Sequence, residues 1–328
     1  MKGIIRHIGP CAAALLLLAG CSETTVERGP GGEDAIGFTT DVTRAAKEDF
    51  AAGDAFAVWG WYAPDDAFSR VFDATKVSTP DGTSWSYEGM RFWKAGKTYA
   101  FYALHPAADA LPGTASCSAD GILSVAGFDA SRGVDLMAAC ATGMDGGRPA
   151  PVPFTFTHLL TRIQIVGKRS ESTAGIVGFT PRIHAVRLYG MPGKGDFSLS
   201  AADLADREAL RAAWTAAPGI TTSDAPLAAF ISDGGEEATA EGTLLLDALP
   251  YPQRITQDCY VEVVYSTDGT GTDRQTRTVR LTSLPVTVWE AGRQYRYTFS
   301  VSDNDRILFD TPTVNAWDEA VGGIIIVD

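Results

Sequence analysis

Cys21 stands directly after Leu18, Ala19 and Gly20, at the end of a segment in which Lys2 and Arg6 precede the apolar run CAAALLLLAG. A charged start followed by a short apolar run is a secretory signal, residues 1–20, and is too short to span a membrane. The tetrapeptide LAGC resembles the bacterial lipobox, in which signal peptidase cuts before a cysteine whose thiol has received a diacylglycerol. Cys21 is then the lipidation site and the first residue of the mature chain. An ordinary signal peptide followed by a chance cysteine is the bland alternative.

The other reactive side chains are sparse. Cys11 leaves with the signal, so Cys117, Cys140 and Cys259 remain, enough for at most one disulfide. A Cys117–Cys140 bridge and free thiols both stay open, and no CxxC or Cys/His spacing suggests a metal. Of four histidines, His7 belongs to the signal, His158 continues the face of Phe154 and Phe156 as a core residue would, and His105 and His184 stand alone among apolar segments. No HExxH, GxSxG, GxxxxGK[ST] or GxGxxG occurs. The acidic turn DGTGTD, Asp268 to Asp273, reads as a hairpin turn before it reads as a weak calcium loop. No catalytic residue, metal site or cofactor is expected, and the chain does not read as an enzyme.

The 27 basic and 40 acidic residues give a formal charge of -13, and removing Lys2 and Arg6 with a signal that holds no acid makes it -15. A surface this acidic repels phosphate backbones, so nucleic acid is not an expected partner.

The elements that must position any site read almost entirely as strands. TRIQIV places Thr161, Ile163 and Ile165 on one face and Arg162 and Gln164 on the other, and YRYTFSV alternates Tyr295, Tyr297, Phe299 and Val301 with polar residues. AFAVWGWYA (55–63), TYAFYAL (98–104), IHAVRLYG (183–190), CYVEVVY (259–265) and RTVRLTSL (277–284) read likewise, separated by Gly/Pro/Asp turn signals. The stretch SAADLADREALRAAWTAAPG (200–219) alone looks helical, with Ser200 as its cap and Pro218-Gly219 as its stop. The fold class is therefore all-β: two tandem β-sandwich domains, the second with a short helical insertion. A polar tether covers 21–34, and the low-complexity stretch ATGMDGGRPAPVP divides an N-terminal domain (35–150) from a C-terminal domain (151–328).

Several landmarks occur in order: the lipobox, IGF…TRA at Ile36 to Ala45, F..GD.F.VWGWY from Phe50 to Tyr62, W.Y….FW from Trp85 to Trp93, FTFTHLLTRIQI at 154–165, LLLDALPYPQ at 244–253, WEAGRQYRYTFSV at 289–301, and a final VNAW with an apolar tail. In this order they resemble the fimbrillin family, the lipoprotein precursors of type V pili in gut and oral Gram-negative bacteria. The resemblance implies transthyretin-like sandwiches, export to the outer membrane as a lipoprotein and a place at the cell surface or in a fimbria. It also implies that an arginine-specific protease removes the first strand of stalk members, and that a strand of another pilin subunit, generally its C-terminal segment, fills the groove.

The residues fit that scheme. DAIGFTTDV places Ile36, Phe38 and Val42 on one face, a first strand able to cover a core edge, and Arg44-Ala45 comes next as the processing site. The chain ends in WDEAVGGIIIVD, where Ile324, Ile325, Ile326 and Val327 form a candidate donor strand and Gly322-Gly323 a hinge. Burying four such side chains supplies roughly 6–12 kcal/mol before ordering entropy is deducted. The alternatives are an Arg44 that is merely solvated, an apolar tail that closes its own C-terminal sandwich, and a non-polymerising surface lipoprotein that binds glycans on an aromatic platform of Trp59 and Trp61, with Trp85 and Trp93 nearby. A host or bacterial surface receptor is an expected partner under either function.

Overall fold

The computed structural model describes residues 34–42, 50–63, 68–217, 225–303 and 306–317. Its strands are β1 (Phe38–Val42), β2 (Ala55–Ala63), β3 (Ser69–Ser78), β4 (Ser86–Tyr87), β5 (Thr98–His105), β6 (Thr114–Cys117), β7 (Ile122–Asp129), β8 (Met137–Asp145), β9 (Val152–His158), β10 (Arg162–Arg169) and β11 (Arg182–Tyr189). They continue as β12 (Lys194–Ser200), β13 (Trp214–Ala216), β14 (Ala228–Glu237), β15 (Thr243–Ala248), β16 (Gln253–Arg254), β17 (Tyr260–Ser266), β18 (Gln275–Arg280), β19 (Val288–Trp289), β20 (Arg293–Val301), β21 (Ile307–Phe309) and β22 (Thr313–Ala316). A single short α-helix among the described residues, α1 (Arg207–Ala212), lies between β12 and β13. The chain is all-β, as its alternating patterns require.

The first large sheet runs β1-β9-β8-β5-β2-β3-β4. Its interior strand β2 is buried on both faces, which is why AFAVWGWYA is apolar without interruption. Phe56 and Val58 enter a core with Phe101, Phe154 and Phe156. Ala57, Trp59 and Trp61 enter another, with Leu123, Val125 and Phe197 of the sheet β13-β12-β7-β6 that covers that face. Gly60 leaves room for the rings of its two cross-strand neighbours, because a Cβ would stand 2.8 Å from the Phe101 ring and 3.0 Å from that of Phe72.

Sheets β15-β10-β20-β21, with β22 also on β20, and β14-β11-β17-β18 share a core of Ile163, Ile165, Tyr297 and Phe299 against Val186, Leu188, Val261 and Val263. The period-two readings of TRIQI and YRYTFSV hold at every apolar position. Gln164 and Ser300 are the departures, buried on the polar faces; the Gln164 amide donates to Asp247 and its carbonyl oxygen accepts from Arg296.

Hydrogen bonding does not break at residues 150 and 151. β9 pairs with β1 and β8 inside the first sheet, and β12 pairs antiparallel with β7. Residues 152–158 thus belong to the first large sheet, and β12 and β13, with α1 between them, to the sheet that covers it. The helix expected over 200–219 is correspondingly shorter. Ser200 caps a 3-10 turn at 201–203, and the α-helical cap is Asp206, whose carboxylate accepts from the amides of Glu208 and Ala209. Trp214 ends the helix by turning into the core, where it stacks on Tyr251 and meets Phe128 and Phe197. Burial of that indole outweighs the weak helix propensity of a segment lacking an apolar stripe.

Two histidines make the fold acid-sensitive. His184 is buried with Nε2 2.9 Å from Ser266 Oγ. Its burial first, and the nearby Arg274 cation second, hold its pKa below the usual 6.5, against the opposing carbonyls of Ser232 and Asp233. Burial lowers His105 in the same direction. The unfolded chain therefore binds more protons near neutrality, so this contribution is complete above about pH 6.5 and is lost as pH falls below it. The urea midpoint is expected to fall between pH 7 and pH 5, with a shallower fall in His184→Gln. A midpoint constant over that window contradicts the assignment.

Candidate functional site

Within DAIGFTTDV, Phe38–Val42 forms an edge strand, and Ile36 and Phe38 are core. β1 pairs with β9 in parallel register, Phe38 opposite Val152 and Val42 opposite Phe156, whereas every other pairing of its sheet is antiparallel among the described residues. Ile36 and Phe38 are 1% and 7% exposed. The Phe38 ring stacks on Phe154 at 5.6 Å and meets the edges or faces of Phe56, Phe72, Tyr87 and Phe101 within 6.3 Å. A strand held at the border of its sheet thus supplies an aromatic ring near the centre of a core that also contains Phe50, Trp93, Tyr99 and Phe156.

The opposite side of β1 is held by the segment 85–93. The Ile36 amide donates to the Arg91 carbonyl (2.8 Å) and the Trp93 amide to the Asp34 carbonyl (3.0 Å), around an antiparallel bridge between Ala35 and Phe92. Tyr87 Oη donates to the Ile36 carbonyl at 2.8 Å, and Trp85 Nε1 donates to Thr40 Oγ1 at 3.0 Å. Beyond these ties a groove of about 530 Å³ opens between residues 34–39 of the first strand, Thr83–Tyr87 with Met90, and Pro149–Pro151. Asp34, placed in the tether by composition, already belongs to this arrangement.

Tyr87→Phe removes the hydrogen bond to the Ile36 carbonyl and the one that Tyr87 Oη accepts from the Arg91 amide (3.2 Å), and leaves the ring in place. It is expected to cost about 1 kcal/mol and to raise the hydrogen-exchange rate of the Thr39 and Asp41 amides about fivefold. Unchanged exchange there sinks the role of the 85–93 segment as a strap.

Of the residues singled out from sequence, Ile36 and Phe38 are brought into the core, and Val42 is placed at the end of β1 opposite Phe156. Cys21, Arg44, Ala45, Gly322, Gly323, Ile324, Ile325, Ile326 and Val327 lie outside the described residues. The aromatic platform is overturned: Trp59 and Trp61 are 3% and 4% exposed, packed between the two sheets of the N-terminal sandwich, and Trp93 is 2% exposed in the other core. Trp85 is half-buried with its indole N–H on Thr40. Neither pair offers an open ring face.

The remaining candidates resolve into structural roles. Asp268 accepts from the amides of Thr270 and Gly271 and from the hydroxyls of Thr270 and Thr272, which holds its carboxyl below the usual range and closes DGTGTD as a turn. No group of three His, Cys, Asp or Glu side chains suited to a metal occurs among the described residues. Cys117, Cys140 and Cys259 are free thiols, and burial pushes the Cys117 pKa up to about 12. His158 lies with Nδ1 2.8 Å from Asp135 Oδ2 and stacks on Trp317 at 4.3 Å, so the last described residue packs beside the end of β9. In the sequence Tyr87 and Trp317 stand only as landmarks and Trp85 as a landmark beside the aromatic platform; the structural role of all three comes from partners 51, 159 and 45 positions away.

No curated protein matches the chain. Its fold is shared with solved structures of low sequence identity. One is a fimbrial protein of Bacteroides vulgatus, with 15% identity, 86% of this chain and 99% of that chain covered and a TM-score of 0.58. Others are proteins assigned to cell adhesion from Bacteroides ovatus (19% identity, 90% and 99% covered, TM-score 0.55) and Bacteroides uniformis (15%, 88% and 100%, TM-score 0.54). These likenesses carry the fold. The family model described as fimbrillin-like matches residues 43–317, which include the core-forming strands from β2 through β22. The chain belongs to the fimbrillin-like family, whose members are pilus and adhesion proteins of the cell surface rather than enzymes.

Proposed function

We propose that this chain is exported as a lipoprotein through Cys21, anchored in the outer membrane, and built into a fimbria as a subunit or accessory adhesin after cleavage between Arg44 and Ala45 removes β1. The observation that carries the reading is the position of Phe38: a core ring delivered by an edge strand that ends two residues before Arg44. Cutting there leaves Ile36 and Phe38 on a separate peptide, attached only by hydrogen bonds and burial. Once that peptide leaves, the rings of Phe56, Phe72, Phe101 and Phe154 line an open slot beside β9, a surface that invites a replacement strand. Ile324–Val327 of another subunit supplies the side chains, and β9 supplies main-chain partners for strand addition. In this reading the two sandwiches divide the labour, with the N-terminal one (35–150 together with 152–158 and 194–216) receiving a strand and the C-terminal remainder up to 328 donating one across the Gly322-Gly323 hinge.

The test is treatment of the purified precursor with an arginine-specific protease, followed by electrophoresis under mild denaturant. A ladder of multimers that survives is the expected outcome, and cleavage at Arg44 that yields monomers alone rejects assembly by strand exchange.

A further inference from the structure

The sheet β14-β11-β17-β18 turns Val186, Leu188, Val261 and Val263 into the core. Alternation puts their neighbours on the opposite face. There the registers of β11 with β14 and β17 set out three successive rows: Ile231 and Val264 with Ala185 between them, then Arg187 beside Glu262, then Tyr189 beside Tyr260. Ile231 is 64% exposed, and the two tyrosines are half-buried. A face turned to solvent thus carries a single ion pair at its centre, an aromatic pair on one side and two aliphatic side chains on the other.

The groups of this face have capacity to spare. The rings of Tyr189 and Tyr260 stack at 4.8 Å and 14°, which uses one face of each ring, and the second faces have no aromatic or cationic partner among the described residues. Arg187 Nη1 donates to Glu262 Oε1 at 2.6 Å, one N–H of the five that a guanidinium offers. Neither tyrosine hydroxyl has a hydrogen-bond partner among the described residues. The side chains of Arg187 and Glu262 are 27% and 25% exposed, so a ligand can reach both. The outer face of the opposite sheet is different, for there Asp247, Gln164 and Arg296 satisfy one another.

Charge and size select among occupants. Arg187 and Glu262 cancel, and a chain of formal charge -13 disfavours a polyanion. Four strands by three rows make a face of about 20 Å by 20 Å. That is about 400 Å², half of the roughly 800 Å² that each partner gives to a stable protein interface. A short neutral oligosaccharide meets both limits. The C–H face of a hexose packs on an aromatic ring, and its hydroxyls pair with the guanidinium fork, the carboxylate and the phenol groups.

We infer that the outer face of β14-β11-β17-β18 binds a neutral hexose oligosaccharide, with Tyr189 and Tyr260 as the ring platform and Arg187 and Glu262 as the groups that hold its hydroxyls. This gives the proposed adhesin a ligand class and rests on that reading for its place at the cell surface, but it needs neither cleavage nor strand exchange.

The experiment measures binding of the uncut mature chain to soluble polymers that carry galactose, glucose, mannose or sialyl-lactose, since a single sugar ring binds weakly and many copies on one polymer raise the signal. Binding to at least one neutral polymer is expected, at least tenfold weaker in Tyr189→Ala and in Tyr260→Ala. Glu262→Gln keeps the shape of the face and both rings; its expected loss of about fivefold carries the test where an alanine variant does not fold. Leu244→Ala, on the opposite sheet, is expected to bind as the parent does. No binding to any neutral polymer, binding indifferent to all three substitutions on the face, or tighter binding to sialyl-lactose each overturns the inference. Self-association of the chain that Tyr260→Ala abolishes also overturns it, in favour of a second copy on this face. Sugar binding without a ladder after protease treatment leaves this inference standing and rejects strand exchange; a ladder without sugar binding does the reverse.

Discussion

Phe38→Ala is expected to weaken the hold of β1 on the precursor by about 3–5 kcal/mol, the usual range for truncating a buried aromatic. The large end of the range is expected because the five rings around Phe38 are fixed by their own strands and cannot close the space. Ile36, just before β1, would still contribute about 1.5–3 kcal/mol to the hold of this segment. The loss is read as opening of β1: hydrogen exchange at Thr39 and Asp41 rises by about two to four orders of magnitude, and an apolar dye binds the uncut variant. The global urea midpoint moves less if β1 opens before the rest of the sheet. A variant with exchange within tenfold of the parent and no dye binding contradicts the role of β1 as the plug of this core.

Arg44→Gln is expected to abolish the ladder formed on treatment with an arginine-specific protease while leaving the urea midpoint unchanged. The reason is topological. Phe38 enters the core from an edge strand, so one cut beyond Val42 converts a plug into a separate peptide, whereas a cut elsewhere leaves β1 tied to the chain. Supplying the 45–328 chain made directly should restore assembly to the variant's background, because that chain never carries β1. Ladders of unchanged length from Arg44→Gln would show that removal of β1 at this arginine is not what opens the groove.

Much of the fold was legible because period-two burial leaves a trace in short windows. Tyr295, Tyr297, Phe299 and Val301 could be assigned to a core face without any partner being known, and the same pattern marked Ile36 and Phe38. The doubly buried strand Ala55–Ala63 was legible as a strand, but not as the divider between two cores. That is why an exposed platform of Trp59 and Trp61 stayed open as the lesser alternative to core packing.

How the strands on either side of residues 150 and 151 pair was not legible, for a physical reason. ATGMDGGRPAPVP is a turn-rich connection inside one sheet, and nothing local in VPFTFTH states that it will pair with Phe38 and with Met137 rather than with the strands after it. The helix between 200 and 219 was cut short by Trp214, whose neighbours Phe128 and Tyr251 are distant in sequence. For the site, Arg44 and the terminal aliphatic run were visible as residue types. The strap of Trp85, Tyr87 and Arg91 was not, since its hydrogen bonds join main-chain and side-chain groups with no spacing signature.

The most direct measurement is the N-terminal sequence of this protein recovered from fimbriae sheared off cells. Assembly by strand exchange predicts a chain beginning at Ala45, without lipid and without β1. A chain beginning at acylated Cys21 in those fibres would contradict it, because Phe38 would still fill the core that a neighbour's strand is meant to enter.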